Sequence, residues 1–407
     1  MAKMSSIKPA SRTADIRYAV RDIVVLAKEV AKTRKEMLYL NIGDPNQYDF
    51  VTPPHMVEAI HRALTSNFNG YSPSSGIQEA VDAIDCEARR KGIDNILDLF
   101  VTTGASEAIE ICLTALADEG DNVMTPAPGY PLYQAVLAKL KVVENAYYLN
   151  EDDDWQPDLD DISSKINSRT RAIVMINPNN PTGSVCSEET MRGLIKLVKE
   201  HNLVIFCDEI YDKLILNDKK HISLASLDRN VSCITFNGLS KSYLGPGLRI
   251  GWGIVSGDGA VMKDYIEAIN KILRARLCAN HPIQYAIKPA LEGDQSHLDI
   301  VRDKLRRRRD ITTDMLNDIP GMSCVKPEGA FYAFPRIYID QSDEHFVKEL
   351  IKETGVVVVP GSGFGQVPDS RHFRVVFLPP EDILKKAYSS MADFFKKYVA
   401  DHENVTA

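Results

Sequence analysis

Residues 232–252 read "SCITFNGLSKSYLGPGLRIGW". A short run rich in β-branched and aromatic residues stops abruptly at Asn237-Gly238. A loop of small residues follows, carrying one lysine, Lys241, and then one arginine, Arg249. Apolar runs that end so sharply suit strands buried on both faces, as in a parallel sheet covered by helices. The same signature recurs in "LFVTTG" (99–104), "NVMTPAP" (122–128), "AIVMIN" (172–177), "LVIFCDE" (203–209) and "GWGIVSG" (251–257). Helical patterns separate these runs, so βαβ units around a mostly parallel sheet are expected from about residue 55 to 285.

The flanks have another style. In "IRYAVRDIVVLAKEVAKTRKEM", Val20, Ile23, Val24, Ala27 and Val30 recur at helical spacing, and "LYLNIGDP" follows as a short strand entering a turn. Beyond residue 285 comes a long helical segment, "LDIVRDKLRRRRDITTDMLNDI", then strand-like "GAFYAFPRI", helical "EHFVKELIKET", and strand-like "VVVVPG" and "FRVVFL". The expectation is an α/β protein in two parts. A large domain spans 51–290 and a smaller α+β domain spans 291–407, with residues 1–50 as an N-terminal arm joining the smaller part. The run Arg306–Arg309 is expected to form a solvated or intersubunit helix face.

Composition narrows the function. The chain has 407 residues, 44% hydrophobic and 26% charged, with a formal net charge of −8. That balance argues against nucleic acid as a partner, which calls for a basic face. No apolar run reaches membrane-span length, and the first residues lack the apolar core of a signal peptide, so no membrane association is expected. Seven scattered cysteines without a CxxC pair suit free thiols in the cytoplasm. The nine histidines show no ligand spacing, and no metal site is expected.

In open α/β sheets ligands bind beyond the carboxyl ends of strands, so the polar residues there matter most. Gly104-Ala105-Ser106 opens a helix and can cradle a phosphate on free backbone N–H groups, although an ordinary helix start reads the same. Tyr130, bracketed by prolines, can stack on a flat ring or simply pack in its turn. "NPNNPTG" (177–183) is strong turn chemistry with an excess of amides, among them Asn180. Asp208, just past its strand and followed by Tyr211, can be a ligand or a helix cap. Lys241 can be a solvated side chain, but its small neighbours suggest close approach of the backbone to a ligand.

The ordered set Tyr71, Gly104-Ala105-Ser106, Tyr130, Asn180 in "NPNNPTG", Asp208 and Tyr211 in "DEIY", Lys241 in "SKSY", Arg249 in "GLRIGW" and Arg374 in "FRVVF" resembles the class I aminotransferases. These are fold-type I enzymes dependent on pyridoxal 5'-phosphate. Segments such as "DDDWQPDLDDI", "INPNNPTG" and "DIPGMSCVKPEGAFYAFP" are similar to bacterial and archaeal alanine aminotransferases. The resemblance implies a homodimer with shared active sites, exchanging amino groups between alanine and 2-oxoglutarate. Aspartate or aromatic transamination is the alternative, with a lyase on the same scaffold more distant. Lys241 would form the Schiff base and shuttle protons, Asp208 would pair with the ring nitrogen, and Tyr211 and Asn180 would bond the ring oxygen. Tyr130 would stack on the ring. Ala105, Ser106, Ser240 and Arg249 would hold the phosphate, with Tyr71 reaching across from a second copy. Arg374, helped by the Gly43 backbone, would fork onto the substrate carboxylate, and Arg17 would meet a distal carboxylate. Gly43-Asp44-Pro45 departs from the commoner Gly-Glu-Pro without removing a catalytic group.

Overall fold

The computed structural model describes residues 6–16, 19–33 and 36–403. A short strand β1 (Leu38–Tyr39) precedes the eight strands of one large sheet. These are β2 (Ile96–Thr102), β3 (Asn122–Ala127), β4 (Val143–Asn150), β5 (Gln156–Pro157), β6 (Thr170–Ile176), β7 (Val204–Asp208), β8 (Cys233–Gly238) and β9 (Gly251–Ser256). In space they run β2-β9-β8-β7-β6-β3-β4-β5. Neighbours among β8, β7, β6, β3 and β4 pair in parallel. β9 is antiparallel to both β2 and β8, and β5 is antiparallel to β4. The α/β class with a mainly parallel sheet is as expected.

The strands read as unbroken apolar runs because both faces are covered. Along β6, Ile173 and Met175 enter one buried layer while Ala172, Val174 and Ile176 enter the other. Along β7 the split is Ile205 and Cys207 against Val204 and Phe206. Burying the larger of these side chains contributes about 1.5–3 kcal/mol apiece before ordering costs. The sheet is therefore a rigid base for the polar residues at its edge. β4 escaped the sequence reading because "VENAYYLN" buries few of its residues, chiefly Tyr147 and Leu149.

The direction of β9 has a simple cause. Its link from β8 contains only short turns, and a parallel return needs a long crossover. The chain comes straight back, pairing Gly251 with Gly238 on one side and with Thr102 on the other. The start of β9, and Arg249 just before it, therefore lie at the edge where β2, β7 and β8 end.

The remaining strands are short: β10 (Met322–Ser323), β11 (Tyr332–Ala333), β12 (Arg336–Ile337), β13 (Val356–Val357), β14 (Val359–Pro360) and β15 (Phe373–Val376). β15 lies between β11 and β14, antiparallel to both, and β1 pairs in parallel with β13. Ile23 and Ala27, from the helix Ala19–Ala31, share an apolar cluster with Phe346, Leu350 and Val357.

The arginine run departs from its expectation. On the helix Ser296–Asn317, Arg308 and Arg309 are buried. Arg308 bonds the Leu378 carbonyl and both Asp49 oxygens, and Arg309 donates to the Leu216 carbonyl at 2.9 Å. A guanidinium can satisfy several carbonyls at once, so part of this basic run is internal glue and only part a solvated face.

Candidate active site

A cavity of about 470 Å³ opens at the carboxyl edge of the large sheet. Its floor is Asp208, the last residue of β7, only 4% exposed. One carboxylate oxygen accepts the Ile210 backbone N–H at 3.3 Å. Burial pushes this carboxyl up to about 6, against the opposing pull of the Ile210 N–H, Tyr133 and Lys241. Lys241, half-buried in the loop after β8, donates from Nζ to the Gly43 carbonyl at 2.9 Å.

Tyr211, one turn past Asp208, shares a 2.9 Å hydrogen bond with the hydroxyl of Tyr332 on β11. Burial, with Tyr332 beside it, holds the Tyr211 phenol well above its ordinary range, so it enters the cavity as a neutral group. Gly43 is required here: a Cβ on it would stand 2.2 Å from the Tyr332 hydroxyl.

The amides of "NPNNPTG" divide their work. Asn179 braces the turn, its Oδ1 accepting from the Thr182 N–H at 3.2 Å and the Thr182 hydroxyl at 3.0 Å. Asn180 faces the cavity, and its Oδ1 accepts from Arg374 at 3.0 Å. Arg374, on β15, is 3% exposed and also donates to the Asn41 carbonyl at 2.7 Å. Its guanidinium lies over the rings of Tyr332 and Phe364 at 4.6 and 4.7 Å. Its Nε has no hydrogen-bond partner, and no carboxylate among the described residues pairs with it. A buried cation resting on neutral acceptors and aromatic faces suits a small carboxylate.

At the opposite end, the helix Ala105–Leu116 begins with Gly104 as its N-cap, at φ 77° and without a capping side chain. A Cβ at Gly104 would lie 2.5 Å from Nη2 of Arg249, so glycine lets the guanidinium settle against the helix start. Ala105 and Ser106 of this helix start line the cavity together with Arg249, and Ser240 and Tyr130 line it too. A helix N-terminus with an adjoining guanidinium and two serine hydroxyls fits a phosphate.

The chain matches the family profile for aminotransferases of class I and II over residues 35–388. It belongs to that family. This aminotransferase is 38% identical to the glutamate–pyruvate aminotransferase AlaA of Escherichia coli, covering 97% of this chain and 99% of the relative. It is 39% identical to an alanine aminotransferase of Mycobacterium tuberculosis, over 96% and 92% of the two chains. Among solved structures, an alanine aminotransferase from Pyrococcus furiosus superposes with a TM-score of 0.93 at 39% identity, covering 96% of this chain and all of the other.

Two residues named from the sequence are not placed at the aminotransferase's cavity, for different reasons. Tyr71 is 82% exposed and does not line it, and Arg17 falls outside the described residues. Sequence reading passed over Tyr332, which joins Tyr211 to Arg374. Val24 and Ile42, which add apolar surface, were also not singled out as site residues. In "GAFYAFP" the one signal was a tyrosine set among aromatic residues in an otherwise apolar strand.

Proposed function

We propose that this aminotransferase moves amino groups between L-alanine and 2-oxoglutarate, forming pyruvate and L-glutamate, with pyridoxal phosphate in the cavity. The carrying observation is near-complete coverage, at 38–39% identity, of relatives named for glutamate–pyruvate and alanine transamination. The cavity fits the cofactor on three counts. Asp208 is a buried acid that a cationic ring nitrogen would stabilise. The uncapped helix start beside Arg249 suits a phosphate. Lys241 lines the same cavity with its amine on a backbone carbonyl.

When bound, pyridoxal phosphate supplies an aldehyde that exchanges amines and a ring that accepts electrons. Lys241 would hold it covalently and, once released by substrate, carry a proton to and from the substrate Cα. Asp208 would keep the ring nitrogen protonated. Tyr211 would donate to the ring oxygen, as would the Asn180 amide nitrogen, since Asn180 Oδ1 is committed to Arg374. Tyr130 would stack on the ring. Arg374 would grip the α-carboxylate beside the Gly43 backbone, and Arg17 would answer the distal carboxylate of the larger substrate. Exposed Tyr71 would complete the phosphate site of a second copy, making the enzyme a homodimer.

A donor panel with 2-oxoglutarate tests the reading. Alanine is expected to react fastest, with pyruvate formed only when acceptor is present. Faster turnover of aspartate or phenylalanine would sink the alanine assignment, and pyruvate plus ammonia without acceptor would indicate a lyase. Arg374→Ala is expected to lower kcat/KM for alanine by about 10²-fold, mainly through KM, since a buried charge-assisted fork is lost. Arg374→Lys should recover little, because an ammonium lacks the planar fork. An unchanged KM in the alanine variant would remove Arg374 from the carboxylate site.

A further inference from the structure

Behind Asp208, on the side away from the cavity, lies a buried charged cluster that the proposed chemistry leaves unused. Asp208 and Tyr211 line the cavity, whereas the two acids interleaved with them, Glu209 and Asp212, engage groups behind it. Glu209 is fully buried. One of its oxygens accepts the Ser223 hydroxyl at 2.7 Å, and the other has no hydrogen-bond partner. The cation facing that bare oxygen is Lys91, whose Nζ stands 3.8 Å away and bonds Asp212 directly. Lys91 caps the helix Gln78–Arg90, and its side chain is 18% exposed. Beside it Lys213 pairs with Glu87 at 2.5 Å, and Arg90 bonds Glu87 at 3.0 Å.

The turn is also tied by its backbone. The Asp212 N–H bonds the Glu209 carbonyl at 3.0 Å, and the Asn237 amide donates to the same carbonyl at 2.9 Å. Lys91, with the neighbouring Lys213–Glu87 pair, thus ties a helix remote in sequence to the segment that carries two cavity residues.

We propose that Lys91 is a positioning residue for the cofactor pocket: from behind, it holds the Glu209–Asp212 turn in the geometry that presents Asp208 and Tyr211, and it balances the two acids at the back of Asp208. The proposal rests on reading the cavity as a pyridoxal phosphate site. Removing Lys91 would leave two buried acids short of a cation, and their cheapest relief is a proton or a shift of the turn. Either change reaches Asp208. Glu209 already pushes Asp208 toward its protonated form, alongside burial, while Lys241, Tyr133 and the Ile210 N–H pull the other way. Asp212 reports the balance: burial raises it, but Lys91, Lys213 and His221 outweigh burial and bring it to about 2.

The test titrates cofactor-free full-length protein with pyridoxal phosphate across neutral pH, reading binding by fluorescence and stability by thermal unfolding. Lys91→Met is expected to move the acid limb of the affinity profile up by about one pH unit, weakening binding about twofold at pH 7 and about tenfold near pH 5. Adding Glu209→Gln to Lys91→Met removes an unpaired charge, and most of the affinity and the original limb should return. If Lys91→Met does not fold, Glu209→Gln alone reads the same coupling, and its limb should move to lower pH. Wild-type affinity with an unmoved limb in Lys91→Met overturns the proposal. So does a loss equal at every pH and not rescued by the second change, the mark of a merely structural lysine, and so does an unmoved limb in Glu209→Gln. Parent protein that binds no pyridoxal phosphate at any pH would instead overturn the cofactor assignment, and this proposal with it.

Discussion

Replacing Lys241 with alanine is expected to lower turnover of alanine with 2-oxoglutarate by about 10⁴-fold, the upper range for a positioned general base. The reasoning is one of substitutes. Among the described residues that line the cavity Lys241 is the one amine, and no imidazole stands there. Tyr211 is held protonated by burial and by Tyr332, so it cannot take over as a base at neutral pH. Arg249 and Arg374 stay charged. The fold should hardly notice, because Lys241 is half-buried and its Nζ bonds a single carbonyl, that of Gly43. Thermal unfolding of the cofactor-free variant should therefore match the parent. A small alkylamine added to the assay should restore part of the lost rate. A loss under tenfold would remove Lys241 from the chemical step.

Asp208→Asn should separate activity from stability. Turnover is expected to fall by about 10³-fold, because breaking a buried charge pair costs about 3–5 kcal/mol. The cofactor-free protein, however, should become more stable. An acid whose folded-state pKa lies above its unfolded value binds more protons when folded, so stability falls as pH rises through that window and levels off above it. For Asp208 the window runs from the ordinary 3.8 to about 6. At neutral pH and above, burial of the ionised carboxylate then costs about 3 kcal/mol. The variant escapes that cost. Its unfolding temperature without cofactor should exceed the parent's at pH 8, and the difference should shrink as pH falls toward 4. Added pyridoxal phosphate should stabilise the parent more than the variant. A variant less stable than the parent at pH 8 would contradict this account of the site.

Sequence legibility followed physical locality. Asp208, Asn180, Lys241 and the Ala105-Ser106 pair each sit within a few residues of the end of an apolar run, so strand ends located them together. Arg374 was legible only through the resemblance of "FRVVF" to the aminotransferase motif, since nothing local to that short strand announces a ligand. Tyr332 was not legible. Its part in the site depends on a hydroxyl contact with Tyr211, 121 positions away. Lys91 is hidden in the same way, since nothing near it in sequence announces the acids it will meet. The arginine run misled because charge density along a helix does not reveal which members turn inward. β4 was missed because a strand near the sheet edge need not be apolar throughout.

The antiparallel return of β9 carries a consequence for size selection. Lys241 and Arg249 sit on one continuous link, closed at its base by the pairing of Gly238 with Gly251. Slipping that pairing by one residue would turn every side chain to the opposite face, so it cannot drift by small amounts. On the proposed assignment, the span from reactive amine to anion-binding guanidinium is gauged by this one closure. So assigned, the link would act as a calliper, admitting molecules whose aldehyde and phosphate stand a set length apart.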